Sequence, residues 1–187
     1  MPPKNHKPLK RLHFIALVAP EPVQSELTEF KHLARERFGS GHALNAPAHI
    51  TLIPPFFATA KQMEDFIPQL AEFIAGYPPW ELEIKNFNRF GKRVIYAAVA
   101  PHPALNDFQA ELFSLFMTHF PAYRKPNRFH PHLTVAHRDL MSEQFPAAWH
   151  YFSGLSYERK IIVDKLSVLV HRERKWHIRT QLPFKAD

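Results

Sequence analysis

The stretch AHITLIPPF, residues 48–56, places a histidine and a threonine two positions apart in an otherwise apolar run. Alternation along an extended strand puts His49 and Thr51 on one face, with Ile50 and Leu52 on the other. The aliphatic pair suits a core, so the polar pair faces a different environment. The stretch therefore predicts a half-buried strand that presents an imidazole and a hydroxyl to one space.

The same pattern recurs in HLTV, residues 132–135, where His132 and Thr134 share a face. The chain has 13 histidines among 187 residues. A His-x-Thr pattern with aliphatic residues at both flanking positions is then expected roughly 0.04 times by chance. Each copy alone fits a strand whose polar side chains only bond to neighbours. Two copies together indicate a functional pair.

Strands and helices alternate in the same order in both halves of the chain. Apolar periodicity in the first half predicts a strand over 11–20, a helix over 23–38, the quoted strand, a helix over 60–75 with a kink at Pro68, and a strand over 80–87. In the second half it predicts a strand over 93–100, a helix over 104–119, a strand over 132–137, a helical stretch over 141–152, and strands over 159–172 and 175–184. This order indicates an internal duplication of architecture.

Length and composition favour a single globular domain over 1–187, with residues 1–10 as a flexible N-terminus. No apolar run approaches the roughly 20 residues of a transmembrane helix, and no targeting segment is evident, so a soluble, cytoplasmic protein without a membrane partner is expected. The formal net charge of +7 favours a polyanionic partner. The absence of cysteine excludes disulfides and thiolate sites.

Two histidines that face each other across a cleft are suited to metal-free phosphoryl chemistry. One imidazole accepts a proton while the other donates one near neutral pH. Threonine hydroxyls hold non-bridging phosphoryl oxygens and stabilise the charge that develops on them. In-line displacement at phosphorus needs such a base and acid on opposite sides.

These residues resemble the two-histidine phosphoesterase superfamily, which includes 2′-5′ RNA ligase-like proteins and RNA 2′,3′-cyclic phosphodiesterases. Supporting matches are FIALVAP, HITLIPPF, FHPHLTVAH and WHIRTQLPF, so the likeness spans about residues 11–184. The resemblance implies an α+β fold with two pseudo-symmetric lobes, about 11–90 and 91–184, around a central cleft. Each lobe would be a mainly antiparallel sheet with outer helices.

The resemblance also implies an activity. It implies hydrolysis of 2′,3′-cyclic phosphates of RNA ends or nucleotides, with reversible 2′-5′ ligation as a further activity. We expect a monomer that needs neither metal nor cofactor. The motif residues carry over as His49, Thr51, His132 and Thr134. We expect His132 to act as the base and His49 as the acid, although the pseudo-symmetry allows the roles to exchange.

Four further residues are candidates for substrate binding, each with an alternative role. Phe56 is placed to stack on a base, but it also suits the core. Arg93 and Tyr96 lie in the strand that begins the second lobe, where Tyr96 also suits packing. Arg128 precedes the second motif and is placed to attract phosphate, or to be solvated surface.

Residues around the second motif are assigned by alternation. Arg138 is expected either at the rim of the cleft, where it would attract phosphate, or as solvated surface. His130 shares a face with His132 unless Pro131 breaks the alternation, and His137 is expected on the opposite face.

Three other functions fit parts of the sequence. A zinc hydrolase needs converging ligands, but HExxH is absent and neither motif contains a carboxylate. A non-catalytic RNA-binding protein suits the basic charge and the aromatic content, but no RNP-like or GXXG sequence appears. A two-histidine enzyme that acts on a small sugar or nucleotide cyclic phosphate stays open.

Overall fold

A computed structural model describes residues 8–124 and 128–185, so most of the expected flexible N-terminus lies outside the described residues. The described part contains eight strands and four α helices. In chain order they are β1 (Lys10–Val18), α1 (Val23–Phe38), β2 (His49–Thr59), α2 (Ala60–Ile74), β3 (Trp80–Phe90), β4 (Val94–Val99), α3 (Pro103–His119), β5 (His132–Ala136), α4 (Phe145–Ser153), β6 (Glu158–Val163), β7 (Lys165–Arg172) and β8 (Lys175–Pro183). A short 3₁₀ helix (His42–Asn45) lies between α1 and β2.

The strands form one antiparallel sheet with the order β6-β3-β4-β5-β2-β1-β7-β8. We call β2, β1, β7 and β8 the first half-sheet, and β5, β4, β3 and β6 the second half-sheet. They meet where Ile50 of β2 pairs with Leu133 of β5. The strands that carry the two histidine–threonine motifs therefore lie side by side at the centre of the sheet.

Strand pairing crosses the lobe boundary that the sequence predicts near residue 90. β3 belongs to the predicted first lobe, yet it pairs with β4 and β6 in the second half-sheet. Conversely, β7 pairs with β1 and carries β8 into the first half-sheet. The predicted strand over 159–172 is interrupted at Asp164, because β6 and β7 belong to different half-sheets. The α+β class with two pseudo-symmetric lobes is confirmed, but the predicted lobe limits are wrong.

The helices cover one face of the sheet and enclose the main core. α1 and α4 pack together against the second half-sheet, while α2 and α3 pack together against the first. α1 ends at Gly39, whose φ of 71° is in the left-handed region that glycine adopts without strain. A capping box between Thr59 and Gln62 begins α2. None of the helices in the described residues has the length and apolar character needed to cross a bilayer.

Ile50, Leu52, Leu133 and Val135 are buried in the core beneath the helices. Burial of each such aliphatic side chain contributes about 1.5–3 kcal/mol to folding. The alternating positions of the same strands face the other side of the sheet. We call this side the cleft face.

Candidate active site

The four motif residues converge on the cleft face through the register of β2 and β5. Ile50 and Leu133 are directly paired, and both are buried on the helix side. The antiparallel register then places His49 across from Thr134 and Thr51 across from His132. The two imidazoles lie on a diagonal, and each faces the threonine of the other motif. The predicted convergence of the two motifs is thus present in the structure.

Both motif histidines are held by the same backbone contact. His49 Nδ1 lies 2.7 Å from the carbonyl oxygen of Pro47, and His132 Nδ1 lies 2.6 Å from that of His130. A carbonyl oxygen only accepts, so Nδ1 carries the hydrogen in both rings. In the neutral imidazoles, Nε2 therefore keeps its lone pair and is the atom left to exchange protons with a substrate.

Aromatic rings pack against each imidazole. The Phe14 and His49 rings are 4.7 Å apart between centroids, and the Phe90 and His132 rings meet edge to face at 4.9 Å. The rings of Tyr96 and His132 lie 5.0 Å apart between centroids. These rings reduce the water around both imidazoles, which disfavours the charged form.

Burial accordingly lowers the pKa of both motif histidines. Desolvation is the main cause at His49, whose pKa falls to about 4, and the positive charge of Lys31 acts in the same direction. Desolvation also holds the pKa of His132 below its usual value. Both imidazoles are therefore mainly neutral at pH 7 in the unliganded cleft.

Three cavities meet at the motifs. The lysine cavity, about 340 Å³, is lined by residues that include Lys31, His42, His49, Thr51, Thr134 and Arg138. The hairpin cavity, about 900 Å³, is lined by residues that include Phe90, Arg93, His132 and Thr134. The α3 cavity, about 900 Å³, is lined by residues that include Thr51, Gln109, Arg128 and His132. None of the three linings contains an aspartate or glutamate, so the cleft favours anions.

The predicted substrate-binding residues occupy different environments. Arg93 and Arg128 are exposed at the hairpin and α3 cavities respectively. Tyr96 is 2% exposed behind His132, and its hydroxyl lies 3.3 Å from His130 Nε2. The rings of His130 and His132 lie 6.2 Å apart between centroids, so the two side chains are on the same side, as alternation predicts.

Phe56 does not line the cleft, so its expected role in base stacking is wrong. It is 3% exposed and packs against Phe116 and Phe120, with ring centroids 4.8 and 4.9 Å away. The β1–β2 pairing shifts register twice between Thr51 and Phe56, so the orientation of Phe56 towards the core does not follow from simple alternation.

His137 lies on the cleft side, contrary to the prediction from alternation. Ile95 of β4 pairs with Ala136, but the next residue of β4 pairs with Thr134, which leaves Val135 as an extra residue in β5. Such a bulge shifts the alternation by one position. Val135 and Ala136 are both buried in the core, and His137 then lines the lysine and hairpin cavities. Burial lowers its pKa to about 4.

A family profile described as the 2′-5′ RNA ligase superfamily matches residues 19–175 of this chain. The chain belongs to the 2′-5′ RNA ligase superfamily. The resemblance to two-histidine phosphoesterases is confirmed, and membership makes the chain an enzyme of the phosphoesterase or ligase type. None of the curated proteins matches the chain in sequence.

Solved structures of other proteins share the superfamily fold. LigT of E. coli, in complex with 3′-AMP, is 16% identical, with a TM-score of 0.64 over 95% of this chain and 100% of that one. Apo LigT gives 15% identity and a TM-score of 0.65 over 95% and 99%. TT0787 of Thermus thermophilus gives 17% identity and a TM-score of 0.63 over 95% and 99%. At these identities the likeness establishes the fold alone.

Lys31 is a cleft residue of this superfamily member that the sequence analysis missed. It is 2% exposed, its Nζ donates to the carbonyl oxygen of Ala46 at 2.9 Å, and burial lowers its pKa to about 8. A pattern was present in the sequence, because Lys31 follows Leu27 by four positions and precedes Ala34 by three. A lysine on the apolar stripe of a helix is unusual.

Asp139 organises the loop beside the second motif. Its carboxylate accepts from Ser40 Oγ at 2.9 Å and from the backbone N–H groups of Gly41 and His42 at 3.0 and 2.8 Å. These bonds fasten the start of the 3₁₀ helix to the end of β5, where the rings of His42 and His137 lie 5.0 Å apart. No pattern in the sequence identifies this partnership.

No metal-binding site is visible in the described residues, 8–124 and 128–185. No group of three or more histidine, aspartate or glutamate side chains is arranged there to hold an ion. The side chains that converge at the motifs are imidazoles and hydroxyls, which exchange protons and donate hydrogen bonds directly.

Proposed function

We propose that this enzyme hydrolyses 2′,3′-cyclic phosphates of RNA ends or nucleotides by acid–base catalysis at His49 and His132. The diagonal arrangement of two imidazoles with matching Nδ1 contacts carries the proposal. Each leaves Nε2 for the substrate, and each faces the threonine of the other motif. A phosphoryl group between them has a proton acceptor and a proton donor available at the same time.

In the proposed reaction, His132 Nε2 takes a proton from water as the water oxygen attacks phosphorus. The bond from phosphorus to one ribose oxygen breaks, and protonated His49 gives its proton to that oxygen. The products are a phosphomonoester and a free ribose hydroxyl. Thr51 and Thr134 donate to the non-bridging oxygens, where negative charge increases. Because both histidines are held alike, the reverse direction, which resembles 2′-5′ ligation, uses them with exchanged roles.

Binding of the anionic substrate provides the protonated histidine that the reaction requires. Both motif histidines are mainly neutral when the cleft is unliganded. An anionic phosphoryl group between the rings favours protonation of one of them. Binding therefore prepares the acid, while the other imidazole stays neutral as the base.

This change in pKa predicts different pH profiles for kcat/KM and kcat. The kcat/KM profile reports the pKa values of the free enzyme. Because the pKa of the acid histidine is lowered there, it loses its proton at a pH below its ordinary pKa of 6.5. We expect a bell with its optimum below pH 6.5. The kcat profile, which reports the bound state, should extend to higher pH. Initial rates from about pH 4 to 9 measure both. Coincident profiles centred above neutrality would contradict this account.

A substrate screen tests the proposed function itself. Candidate substrates are 2′,3′-cyclic nucleotides, 2′-5′ linked oligonucleotides and ADP-ribose cyclic phosphate, assayed for the phosphomonoester formed, with and without EDTA. We expect turnover of the 2′,3′-cyclic nucleotides at the same rate in both conditions. Loss of activity with EDTA would overturn the metal-independent mechanism, and binding of RNA without turnover would favour the non-catalytic alternative. A monomer located in the cytoplasm stays a prediction.

A further inference from the structure

Lys31 is a buried cation without a carboxylate partner. Its side chain approaches no aspartate or glutamate within 4.0 Å in the described residues, and its hydrogen bond runs to the neutral carbonyl of Ala46. Buried charges in proteins are normally paired, because an unpaired charge loses hydration without compensation. Lys31 borders the lysine cavity, so an anion in that cavity would provide the missing partner.

Other groups around the lysine cavity also favour binding of an anion. Besides Lys31, the lining contains two guanidinium groups, those of Arg138 and Arg174, and no acidic side chain. His137 Nε2 is buried and has no hydrogen-bond partner in the described part of the chain. The carboxylate next along the chain, Asp139, is occupied by Ser40 and two backbone N–H groups.

The lysine cavity is continuous with the reaction site. Its lining includes His49, Thr51 and Thr134, which the proposed function places around the cyclic phosphate. Lys31 is close enough to His49 to lower the pKa of that imidazole. A volume of about 340 Å³ is within the range of small-ligand sites. A ligand bound at the motifs is therefore directly beside the lysine cavity.

We propose that the lysine cavity binds a second phosphoryl group of the substrate, the one on the 5′ oxygen of the nucleotide whose cyclic phosphate is hydrolysed. This inference rests on the proposed function and narrows its substrate class. The preferred substrate carries at least two phosphoryl groups, and a bare nucleoside cyclic phosphate is a poor one. Lys31 supplies a fixed charge, and Arg138 supplies a guanidinium suited to phosphate oxygens. The 5′ group is either a terminal phosphomonoester or the phosphodiester of an RNA chain.

Three substrates test the second phosphoryl site: adenosine 2′,3′-cyclic phosphate, its 5′-phosphorylated form, and the dinucleotide ApA ending in a 2′,3′-cyclic phosphate. We expect kcat/KM for the 5′-phosphorylated form to exceed that for the adenosine compound by about tenfold or more, from one charge-assisted contact. In Lys31→Met the ratio should fall to within about threefold. A dinucleotide as good as the 5′-phosphorylated compound identifies RNA as the source, whereas a poor dinucleotide identifies the monoester.

Two further variants separate binding from folding and from net charge. Arg138→Gln changes an exposed side chain and should also lower the substrate ratio, which keeps the test valid if Lys31→Met does not fold. Lys61→Gln removes the same charge from α2, where Lys61 is exposed and paired with Asp65, and should retain the ratio. Thermal unfolding of each variant reports its integrity.

The experiment distinguishes failure of the proposed function from failure of the second phosphoryl site. If the wild-type protein turns over none of the three compounds, the proposed function is wrong. If it turns over the adenosine compound but does not prefer either phosphorylated substrate, only the second phosphoryl site is wrong. A preference that persists in both Lys31→Met and Arg138→Gln would also overturn that site.

Discussion

Replacement of either His49 or His132 by alanine is expected to reduce turnover of a 2′,3′-cyclic nucleotide by about 10²- to 10⁴-fold, the range for a positioned acid or base. In either variant, water must replace the missing imidazole as proton donor or acceptor in one of the two proton transfers. Because both transfers belong to one displacement, the double variant should be little worse than the poorer single variant. The measurement is kcat and kcat/KM at the wild-type pH optimum.

The control is a histidine remote from the cleft. His150 is exposed near the end of α4 and does not line the three cavities. His150→Ala should retain wild-type rates, and circular dichroism should show that all the variants are folded. Rates near the wild-type value in folded His49→Ala and His132→Ala would exclude the two-histidine mechanism.

Thr51→Val and Thr134→Val should each lower kcat by about 10²- to 10³-fold, the loss recorded when one preorganised donor to a developing oxyanion is removed. Valine keeps the shape of threonine but cannot donate to a non-bridging oxygen. The antiparallel register places each threonine across from the histidine of the other motif. Loss of either hydroxyl should therefore affect kcat more than KM.

Serine at the same positions is the matched test of the hydroxyl. Thr51→Ser and Thr134→Ser should recover most of the activity, because the donor is restored. Thr118→Val, on the exposed face of α3, should have little effect and controls for the substitution itself. Equal losses in the serine and valine variants would show that packing, and not the hydroxyl, is responsible.

The sequence was sufficient for the features that depend on local alternation. His49 and Thr51 had to share a face once their aliphatic neighbours were buried, and the second motif repeated the pattern. The helical stripes predicted the four helices, although their limits shift by a few residues. Proline and glycine marked several of the turns between them.

Features that depend on distant partners were beyond the sequence. Alternation determines the face of a strand but not the neighbour with which it pairs, so the position of β3 was missed. It also assumes a regular ladder, and the extra Val135 moved His137 to the cleft. The bonds of Asp139 to Ser40 and its neighbours join segments nearly 100 residues apart, which no local pattern records.

The exchange of β3 for β7 and β8 makes the two halves of the chain depend on each other. A fragment ending in the β3–β4 turn would contain β1 and β2 without β7, and the remainder would contain β4 and β5 without β3. Both fragments would expose unpaired strand edges, which invite aggregation. Although its architecture is repeated, the protein cannot be divided into two autonomous units. The diagonal arrangement of the two imidazoles therefore depends on cooperative folding of the whole sheet. Neither half of the chain can hold its motif strand in place by itself.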